Sequence, residues 1–448
     1  ADEAGAAGDQ DPLALEHAGE SIRQPERRSS TIARGDPSRA SSIAPGVQTV
    51  LFIGAGRHQR RAIAQARERG LRVVAVDGRA DAPGLALADE AVLVDFGDVH
   101  AVIAAARQHR PDGVLTVSTD RAVPVVAAVA DALGLPGIGA DTAHLMTQKI
   151  AMRRRFAEQG VPQPRFAAAR GLVEARAAAE TVGFPAVLKP ADSGGQRGLF
   201  LLESMDDLDA HLHAALAESA GGEIVIEEFC EGLELNGIAI ARDGEVDVLT
   251  LSDRLRPPGV GFGVGWIHVY PATIFADALE EAHRVAKAAI HAVGMQNGIA
   301  FPQLLVADDG SVRIVELAAR IPGGQMADLV RHAVGIDLVD VALRFALGEE
   351  VADGVALPHF SQPLAIRFLT ADPGPLPTGT VRSFSGLERV LAFPGVVQAE
   401  VYFEVGETIR PVRLDGDRRG YVIAVGDTSV EALERAEAAA RLLDVEVE

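Results

Sequence analysis

The chain has 448 residues, and its 42 Lys and Arg against 63 Asp and Glu give a net charge of −21 at pH 7. This acidic balance argues against sequence-independent binding to nucleic acid or to an anionic membrane, and no apolar run approaches the roughly 18 residues of a membrane-spanning helix. A single cysteine, Cys230, excludes disulfide frameworks and cysteine-based metal sites. We therefore expect a soluble, cytoplasmic protein of about three domains.

The N-terminal part of the chain predicts an extension followed by a sheet. Residues 1–46 mix Ala, Gly, Ser, Pro and charged residues without apolar periodicity, which predicts disorder. The apolar run 49–53 is typical of a buried parallel strand, and strands alternate with helices from there to about residue 140. This alternation predicts a doubly wound α/β domain over residues 47–140.

A glycine pair follows the first predicted strand. Gly54 and Gly56, with Asp77 at the end of the next strand, have the spacing of a dinucleotide site, but Gln59 stands where a third glycine is expected. The same residues are compatible with a sharp turn between a strand and a helix. The sequence leaves both interpretations open, and the turn is favoured.

A glycine-rich segment in the middle of the chain is the sharpest feature. A predicted strand over 186–189 ends in Lys189, a loop with three glycines follows, and a strand is predicted again over 198–202. Glycines let backbone N–H groups approach phosphate oxygens, and a lysine at the strand end adds a positive charge. The alternative is an ordinary hairpin loop beside a solvated lysine.

Lysine is rare in this chain, which makes its positions informative. Only Lys149, Lys189 and Lys287 occur, and the other 39 positive charges are arginines. Lys149 opens a predicted helix over 150–159, where the helix dipole already favours anions. Lys287 lies in an amphipathic helix predicted over 277–293 and is expected to be solvated. Lys149 and Lys189 therefore predict a phosphate site.

The rest of the chain predicts mostly antiparallel structure. Asp243-Gly244 is typical of a hairpin turn between two of three antiparallel strands, and residues 355–448 predict a smaller α+β module. The predicted elements are strands 223–229, 233–241 and 246–251, a strand near 266–271, a β pair at 299–307 and 312–317, and a final helix at 429–443.

In this order the motifs resemble the ATP-grasp superfamily of carboxylate–amine ligases over about residues 48–448. The likeness rests on Lys149, on Lys189 with its glycine loop, on the hinge segment Val225–Glu234, and on the segment Val315–Arg320, which looks closest to bacterial L-amino-acid ligases and carnosine-synthase-like enzymes. The resemblance implies an α/β and α+β fold. Its expected parts are a pre-ATP-grasp domain (47–140), a small ATP-grasp subdomain (141–228), a large ATP-grasp subdomain (229–352) and a C-terminal module (353–448).

The resemblance implies an ATP site. Lys149 and Lys189 would hold the α- and β-phosphates under a loop that includes Ser193, Gly194, Gly195, Gln196 and Gly198. The hinge residues Glu227, Glu228, Phe229 and Cys230 would meet the adenine, and Glu234 would accept from the ribose hydroxyls. From the residues alone, Glu227, Glu228 and Glu231 are equally compatible with a solvated acidic turn.

The resemblance also implies a metal and a catalytic arginine. Glu316 would coordinate Mg²⁺, or Mn²⁺, between the β- and γ-phosphates, and Arg320 would stabilise the transferring phosphoryl group or a tetrahedral oxyanion. Family members usually carry a second acidic metal ligand where this chain has Gln303, and many have Asn where Ala318 stands. The number of metal ions is thus open. A solvated Glu316–Arg320 pair is the structural alternative.

The implied acceptor pocket includes His268, Tyr270 and Arg254. His268 would act as a general base or as a donor to a carboxylate, or would be a hydrogen-bonded core residue. Gly323-Gly324-Gln325 would bring N–H groups to an acyl phosphate or would only start a helix.

These expectations favour an ATP-dependent ligase that joins a carboxylate to an amine through an acyl phosphate. Both substrates are expected to be small molecules. A homodimer is expected from the family resemblance. Three alternatives stay open. They are a carboxylating or purine-pathway ATP-grasp enzyme, a non-catalytic nucleotide-binding protein, and a dehydrogenase that uses Gly54 and Gly56.

Overall fold

The computed structural model describes residues 46–194, 197–260 and 263–448. The predicted N-terminal extension lies outside the described residues, apart from Gly46. No helix within the described ranges combines the length and the hydropathy that a membrane crossing requires.

The first part of the described chain forms a parallel sheet with helices on both faces. Its strand order is β3-β2-β1-β4, and every pairing is parallel. Leu51 and Ile53 pack against helices on one face, and Val50 and Phe52 pack on the other. The doubly wound prediction is confirmed. The elements are β1 (Thr49–Ile53), α1 (Arg60–Glu68), β2 (Arg72–Asp77), β3 (Glu90–Leu93), α2 (Val99–His109), β4 (Gly113–Leu115), α3 (Val123–Leu133) and α4 (Ala140–Leu145).

A second, antiparallel sheet carries the glycine loop. Its order is β5-β8-β6-β7, and the loop connects β6 with β7. The elements of this part are α5 (Lys149–Glu158), β5 (Phe166–Ala169), α6 (Leu172–Val182), β6 (Ala186–Pro190), β7 (Phe200–Leu202), α7 (Met205–Ala217) and β8 (Ile224–Glu228). The sequence predicted that β8 would extend the next hairpin, but β8 pairs with β5 and β6 instead.

The largest sheet has the order β13-β12-β9-β10-β11-β14-β18-β16 among the described residues, with antiparallel pairing throughout. It continues through the predicted boundary at residue 352, because β11 pairs with β14. Its elements up to that boundary are β9 (Leu233–Arg242), β10 (Glu245–Leu255), β11 (Ile267–Tyr270), α8 (Ala276–Ala292), β12 (Gly298–Val306), β13 (Val312–Ala318), α9 (Met326–Val334) and α10 (Leu338–Leu347).

The C-terminal part adds strands to the large sheet and forms a small sheet in the order β17-β15-β19. The predicted final helix ends at Ala440, and residues 444–447 form a strand that pairs with β15. The elements are α11 (Asp353–Ala356), β14 (Leu364–Phe368), β15 (Gly379–Ser385), α12 (Leu387–Leu391), β16 (Val396–Val401), β17 (Thr408–Ile409), β18 (Gly420–Val425), α13 (Ser429–Ala440) and β19 (Asp444–Val447).

One hydrophobic cluster joins the parallel sheet to the large sheet. It contains Phe52 and Ile63 from the first part of the chain, Ile299 from β12, and buried residues of α9 and α10. At the edge of this contact β4 lies directly against α10, where a Cβ at Gly113 would be 2.5 Å from the carbonyl oxygen of Ala346. The loops after β1 and β4 are therefore held beside the large sheet.

Candidate active site

A cleft opens between the second sheet and the large sheet. It brings together most of the residues for which the sequence predicted nucleotide or metal binding. Those residues are Lys149, Lys189, Ser193, Gly194, Glu227, Glu228, Phe229, Cys230, Glu234, Gln303 and Glu316. Apolar side chains that the sequence did not single out complete the lining, including Val187, Leu199, Leu304 and Val315. A planar aromatic base is the type of group that such an apolar lining accommodates.

Lys149 joins three parts of the cleft. It is the first residue of α5, and its Nζ donates to the carbonyl oxygen of Ser193 at 2.6 Å. The same Nζ lies 3.4 Å from Oε1 of Glu316 on β13. The ammonium group therefore stands between the glycine loop and the predicted metal ligand, as a phosphate-binding group would.

Lys189 shares a buried carboxylate with an arginine that the sequence did not reveal. Nζ of Lys189 donates to Oε2 of Glu227 at 2.7 Å, and the guanidinium of Arg153 bonds both oxygens of Glu227 at 2.9 and 2.8 Å. Burial alone would raise the pKa of Glu227, but Arg153 and Lys189 outweigh it and lower the pKa to about 2. Glu227 is 2% exposed, so the solvated-turn interpretation is wrong for this residue.

The hinge residues also make contacts within the protein. The backbone N–H of Phe229 donates to the carbonyl oxygen of Pro185 at 3.2 Å, so it is already bonded within the protein. Glu228 is half-buried and pairs with Arg165 at 3.4 Å. Burial raises the pKa of the Cys230 thiol. Contacts of the hinge with adenine remain a prediction, and the carboxylate of Glu227 is committed to two cations.

Glu234 lines the same cleft. Its carboxylate pairs with the guanidinium groups of Arg254 and Arg256, and Nε of Arg256 is 3.3 Å from Oε1. A hydrogen bond to ribose would have to be shared with these two arginines. The predicted role of Glu234 stays a prediction.

Glu316 and Gln303 lie directly opposite each other on neighbouring strands β13 and β12. Nε2 of Gln303 donates to Oδ1 of Asn236 at 3.2 Å, which leaves its carbonyl oxygen as the acceptor. A carboxylate and an amide oxygen are both oxygen ligands that Mg²⁺ accepts. Among the described residues no group of three or more His, Cys, Asp or Glu side chains could hold a metal ion. Glu316 and Gln303 thus supply two oxygen ligands, which fits a metal ion that takes most of its ligands from oxygen atoms outside this pair.

The glycine loop carries a buried hydroxyl group near its start. Ser193 is buried, and its Oγ has no hydrogen-bond partner among the described residues. A buried hydroxyl without a partner is unfavourable unless a ligand satisfies it, so this atom fits a phosphate oxygen. Gly198 has φ +67°, and Gly195 and Gln196 lie outside the described residues.

Arg320 lies beyond the cleft and is clamped by a residue of the N-terminal domain. Its Nε and Nη2 each bond one oxygen of Asp120 at 2.6 Å. Burial would raise the pKa of Asp120, but Arg320 and Lys149 lower it. A Cβ at Gly194 would lie 3.0 Å from Oδ2 of Asp120, so this carboxylate also adjoins the glycine loop. The solvated Glu316–Arg320 pair is therefore wrong. Asp120 gave no sequence signal, because its partner is 200 residues away.

His268 is fully buried next to two arginines. Burial, then Arg418 and Arg254, hold its pKa well below the usual value of 6.5. Its Nδ1 lies 3.4 Å from Nδ2 of Asn236, and a Cβ at Gly324 would be 3.4 Å from its Nε2. The imidazole is thus a neutral hydrogen-bonding group close to the Gly323–Gly324 turn.

Arg418 was not singled out from the sequence, and it completes this pocket. Its guanidinium stacks on Phe368 at 4.0 Å and donates to the carbonyl oxygen of Gly265 at 2.8 Å and to Asp415 at 2.7 Å. Burial lowers its pKa to about 10, with Asp415 opposing the shift. Its Nη1 would lie 3.4 Å from a Cβ at Gly324. The pocket therefore presents a guanidinium to the turn that follows Arg320.

Tyr270 and the turn at Gly323-Gly324-Gln325 are two further features that the sequence singled out. The hydroxyl of Tyr270 lies 3.1 Å from Oγ of Ser361, and its ring belongs to the main hydrophobic cluster. Gln325 is the N-cap of α9 with φ +59°, so the glycine turn does start a helix.

The glycine pair after β1 forms a closed turn. Oδ2 of Asp77 accepts from the N–H of Ala55 at 2.9 Å, and Oδ1 accepts from the N–H of Arg79 at 3.0 Å. Asp77 is buried, and its carboxylate is used within the protein. The residues therefore form the turn between a strand and a helix that the sequence favoured over a dinucleotide site.

Comparison with known proteins gives three successive family matches. The ATP-grasp N-terminal domain matches residues 63–137, the ATP-binding domain of the carbamoyl-phosphate synthase L chain matches residues 147–353, and the L-amino acid ligase C-terminal domain 2 matches residues 367–448. The first match lies in the part that forms the parallel sheet, the second covers α5 to α10, and the third lies in the C-terminal part.

Individual proteins are similar over different lengths. The uncharacterised protein y4rH of Sinorhizobium fredii is 28% identical over 66% of this chain, which spans 60% of y4rH. A formate-dependent phosphoribosylglycinamide formyltransferase of Ignicoccus hospitalis is 27% identical over 90% of this chain and 98% of its own length. The crystal structure of an L-amino acid ligase from Bacillus licheniformis superposes with a TM-score of 0.77 at 21% identity, over 90% of this chain and 99% of that one. This structural likeness concerns the fold.

Proposed function

The chain belongs to the ATP-grasp superfamily, and on that premise we propose that it is an ATP-dependent ligase that joins the carboxylate of one small molecule to the amine of another, with amino acids as the substrate class. One observation carries the proposal. Two of the three lysines of the chain, Glu316 and the Ser193 hydroxyl, which has no hydrogen-bond partner among the described residues, line the same cleft as the hinge. This set of side chains suits a nucleoside triphosphate, whose binding needs fixed cations and polar donors.

The proposed reaction has two steps. The substrate carboxylate attacks the γ-phosphate of ATP, which gives an acyl phosphate and ADP. The amine then attacks the acyl carbon and displaces phosphate, so that an amide forms and the amine loses a proton. Lys149, Lys189 and Ser193 would hold the phosphates during the first step. Glu316 and the carbonyl oxygen of Gln303 would hold Mg²⁺ or Mn²⁺, which when bound would neutralise phosphate charge.

Arg320 would act at the boundary between the two substrates. Asp120 occupies its Nε and Nη2, which fixes the orientation of the guanidinium plane. Its partner Asp120 adjoins the glycine loop. The Gly323–Gly324 turn closely follows Arg320 in the chain. A fixed cation at this place would stabilise the transferring phosphoryl group or the oxyanion of the second step.

The acceptor would bind in the pocket of His268, Arg254 and Arg418. Arg418 suits the carboxylate of an amino acid, because its Nη1 faces the Gly323–Gly324 turn and guanidinium groups give charge-assisted hydrogen bonds to carboxylates. His268 is neutral here because its pKa is lowered by burial, so it would donate or accept a hydrogen bond without adding charge. The match of residues 367–448 to an L-amino acid ligase domain supports this choice, since Arg418 lies within it.

A second candidate is a ligase whose acceptor is a phosphorylated ribosyl amine. The formyltransferase relative is similar over nearly its whole length, and Arg418 would suit a phosphate as well as a carboxylate. Arg57 also lies near the turn, lining a pocket with Gly323 and Gly324. This candidate shares the nucleotide site with the first and differs in the carboxylate and in the amine acceptor.

The test is release of phosphate from ATP by the full chain, with mass detection of products. We expect release that requires both a carboxylate and an amine, and an amide product, from one or more amino-acid pairs. Formate with phosphoribosylglycinamide, and bicarbonate with an aminoimidazole ribonucleotide, are the competing arms. Activity in either of those arms alone would assign the chain to the second candidate or to a carboxylating enzyme.

Two further outcomes would remove the ligase proposal. Binding of Mg-ADP in calorimetry without turnover in any arm would indicate a non-catalytic nucleotide-binding protein. Binding of NAD(H) that survives Lys189→Ala would indicate a dehydrogenase. In the active arm, Arg320→Ala should lower turnover by roughly 10² to 10³, as the loss of a preorganised donor does. Arg382→Ala, which removes an exposed arginine paired with Glu448 in the small sheet, is the control.

A further inference from the structure

Arg153 is the most deeply buried charged side chain near the cleft. It is 0% exposed and lies one turn after Lys149 on α5. Besides its two bonds to Glu227, its Nη1 donates to the carbonyl oxygen of Ile314 at 3.0 Å, and its Nη2 donates to that of Val315. The guanidinium thus ties α5 to the hinge strand and to the strand that carries Glu316.

The carboxylate of Glu227 has two cationic partners of different kinds. Arg153 bonds both of its oxygens, whereas Lys189 bonds only Oε2. The side chain of Lys189 is 12% exposed and lines the cleft, whereas that of Arg153 is 1% exposed. Lys189 can therefore also reach a ligand in the cleft, whereas Arg153 keeps its bonds to Glu227.

Releasing Lys189 toward a phosphate has an electrostatic cost that depends on Arg153. A buried carboxylate that loses its partner is strongly unfavourable, because no water replaces the lost interaction. With Arg153 in place, Glu227 keeps two charge-assisted hydrogen bonds when Lys189 turns away. Without Arg153, Lys189 would be held by Glu227 and would compete poorly for phosphate.

We propose that Arg153 is a positioning residue for the nucleotide, which neutralises Glu227 so that the ammonium of Lys189 is available to phosphate oxygens. The inference rests on the proposed nucleotide role of the cleft. Arg153 acts through Glu227 and Lys189 and does not itself touch the nucleotide. A purely structural role would lower the stability of the fold without depending on Lys189 or Glu227.

The experiment measures the Kd of Mg-ADP by calorimetry with the full chain. Arg153→Leu should weaken binding by at least tenfold, and Arg153→Lys, which keeps a cation but loses the paired bonds to both oxygens of Glu227, should weaken it by a smaller factor of at least threefold. Arg154→Leu changes the neighbouring exposed arginine and should stay within twofold of the unmodified chain. Thermal unfolding followed by circular dichroism establishes that each variant is folded. Arg153→Lys keeps the charge and serves if Arg153→Leu does not fold.

Two double variants distinguish positioning from a general effect. In a Lys189→Ala background, Arg153→Lys should weaken binding by no more than twofold, because the group that it positions is gone. In a Glu227→Gln background, Arg153→Leu should bind within threefold of Glu227→Gln alone, because no buried charge needs compensation. Independent effects in both backgrounds would overturn the inference.

The outcomes also separate this inference from the proposed function. If the unmodified chain shows no binding of Mg-ADP, the nucleotide cleft itself is refuted. If the unmodified chain binds Mg-ADP and both Arg153 variants bind it with the same Kd as the unmodified chain, only the positioning role is refuted.

Discussion

The three lysines of the chain lie in contrasting environments. Lys149 and Lys189 each make a polar contact within 2.7 Å in the cleft, whereas Lys287 is exposed on α8. In a chain whose other positive charges are all arginines, the two cleft positions combine a compact ammonium with a carboxylate and a glycine loop. At this scale the nucleotide site depends on individual charges.

Lys189→Ala tests the first of these charges. We expect it to weaken binding of Mg-ADP by about tenfold or more, because a charge-assisted contact is worth about 1.5–3 kcal/mol. Calorimetry measures the change. Lys287→Ala is the matched control and should bind as the unmodified chain does. Unchanged affinity in Lys189→Ala would remove this lysine from the site.

Gln303→Glu tests the metal ligands. It would place a second carboxylate opposite Glu316, and metal affinity at oxygen sites rises with the number of anionic ligands. We expect tighter binding of Mn²⁺ in the presence of ADP, measured by the loss of the free-ion electron paramagnetic resonance signal. The control, Gln296→Glu, adds the same charge at an exposed position. Equal affinity in both variants would show that residue 303 does not contact the metal.

The sequence predicted residues whose chemistry is visible in a local motif, and it missed those whose partners are distant. Lys149, Lys189 and Glu316 stand beside a helix start, a glycine loop and a strand end, which are local signals. Arg153 and Asp120 contact residues 74 and 200 positions away, respectively, and nothing near them in the chain marks their role.

At the scale of elements, the hinge between β8 and β9 is held by a close backbone approach. Gly232 has φ +150°, and a Cβ there would lie 2.3 Å from the carbonyl oxygen of Val306 on β12. A side chain would therefore push the hinge away from the large sheet. This contact sets the distance between two walls of the cleft.

Gly232→Ala should consequently weaken binding of Mg-ADP by roughly tenfold and lower the midpoint of thermal unfolding, since overpacking against backbone costs about 1–3 kcal/mol. Calorimetry and circular dichroism measure the two effects. Gly354→Ala, at a glycine with open space around it, is the control. An affinity equal to that of the control would mean that the hinge position does not matter for the nucleotide.

The bounds of most elements agree with the sequence prediction to within about two residues, because apolar periodicity and turn residues are local. The pairing of some strands, in contrast, differs from the prediction. β8 was expected beside β9 but lies in the other sheet, and β19, which directly follows the predicted final helix, was not predicted. Its pairing with β15, about 60 residues away, decided that outcome, and such distant pairing leaves no local pattern.

At the scale of the whole molecule, Glu227 links three parts of the fold. It lies on the second sheet and bonds Arg153, which bonds the large sheet in turn, and it bonds Lys189 at the start of the glycine loop. Its pKa is lowered to about 2, below the ordinary value of 4.5. The ionised form therefore stabilises the fold above about pH 4.5, and this stabilisation is lost as the pH falls toward 2.

The pH dependence can be measured with Glu227→Gln. The unmodified chain should exceed this variant in stability by about 3 kcal/mol near neutral pH, and the difference should shrink between pH 5 and 2. Midpoints of thermal unfolding across this range provide the comparison. Glu280→Gln, at an exposed site on α8, should follow the unmodified chain. A difference that does not change with pH would contradict the proposed charge state of Glu227.

The distribution of primary amines has a practical consequence. Two of the three lysine side chains sit in one cleft, so an amine-directed reagent has few competing targets elsewhere on this chain. Mild acetylation followed by peptide mass spectrometry would report on the occupancy of the cleft directly, with Lys287 as an internal reference within the same sample. Ligands could then be screened by protection from labelling, before any turnover assay is available.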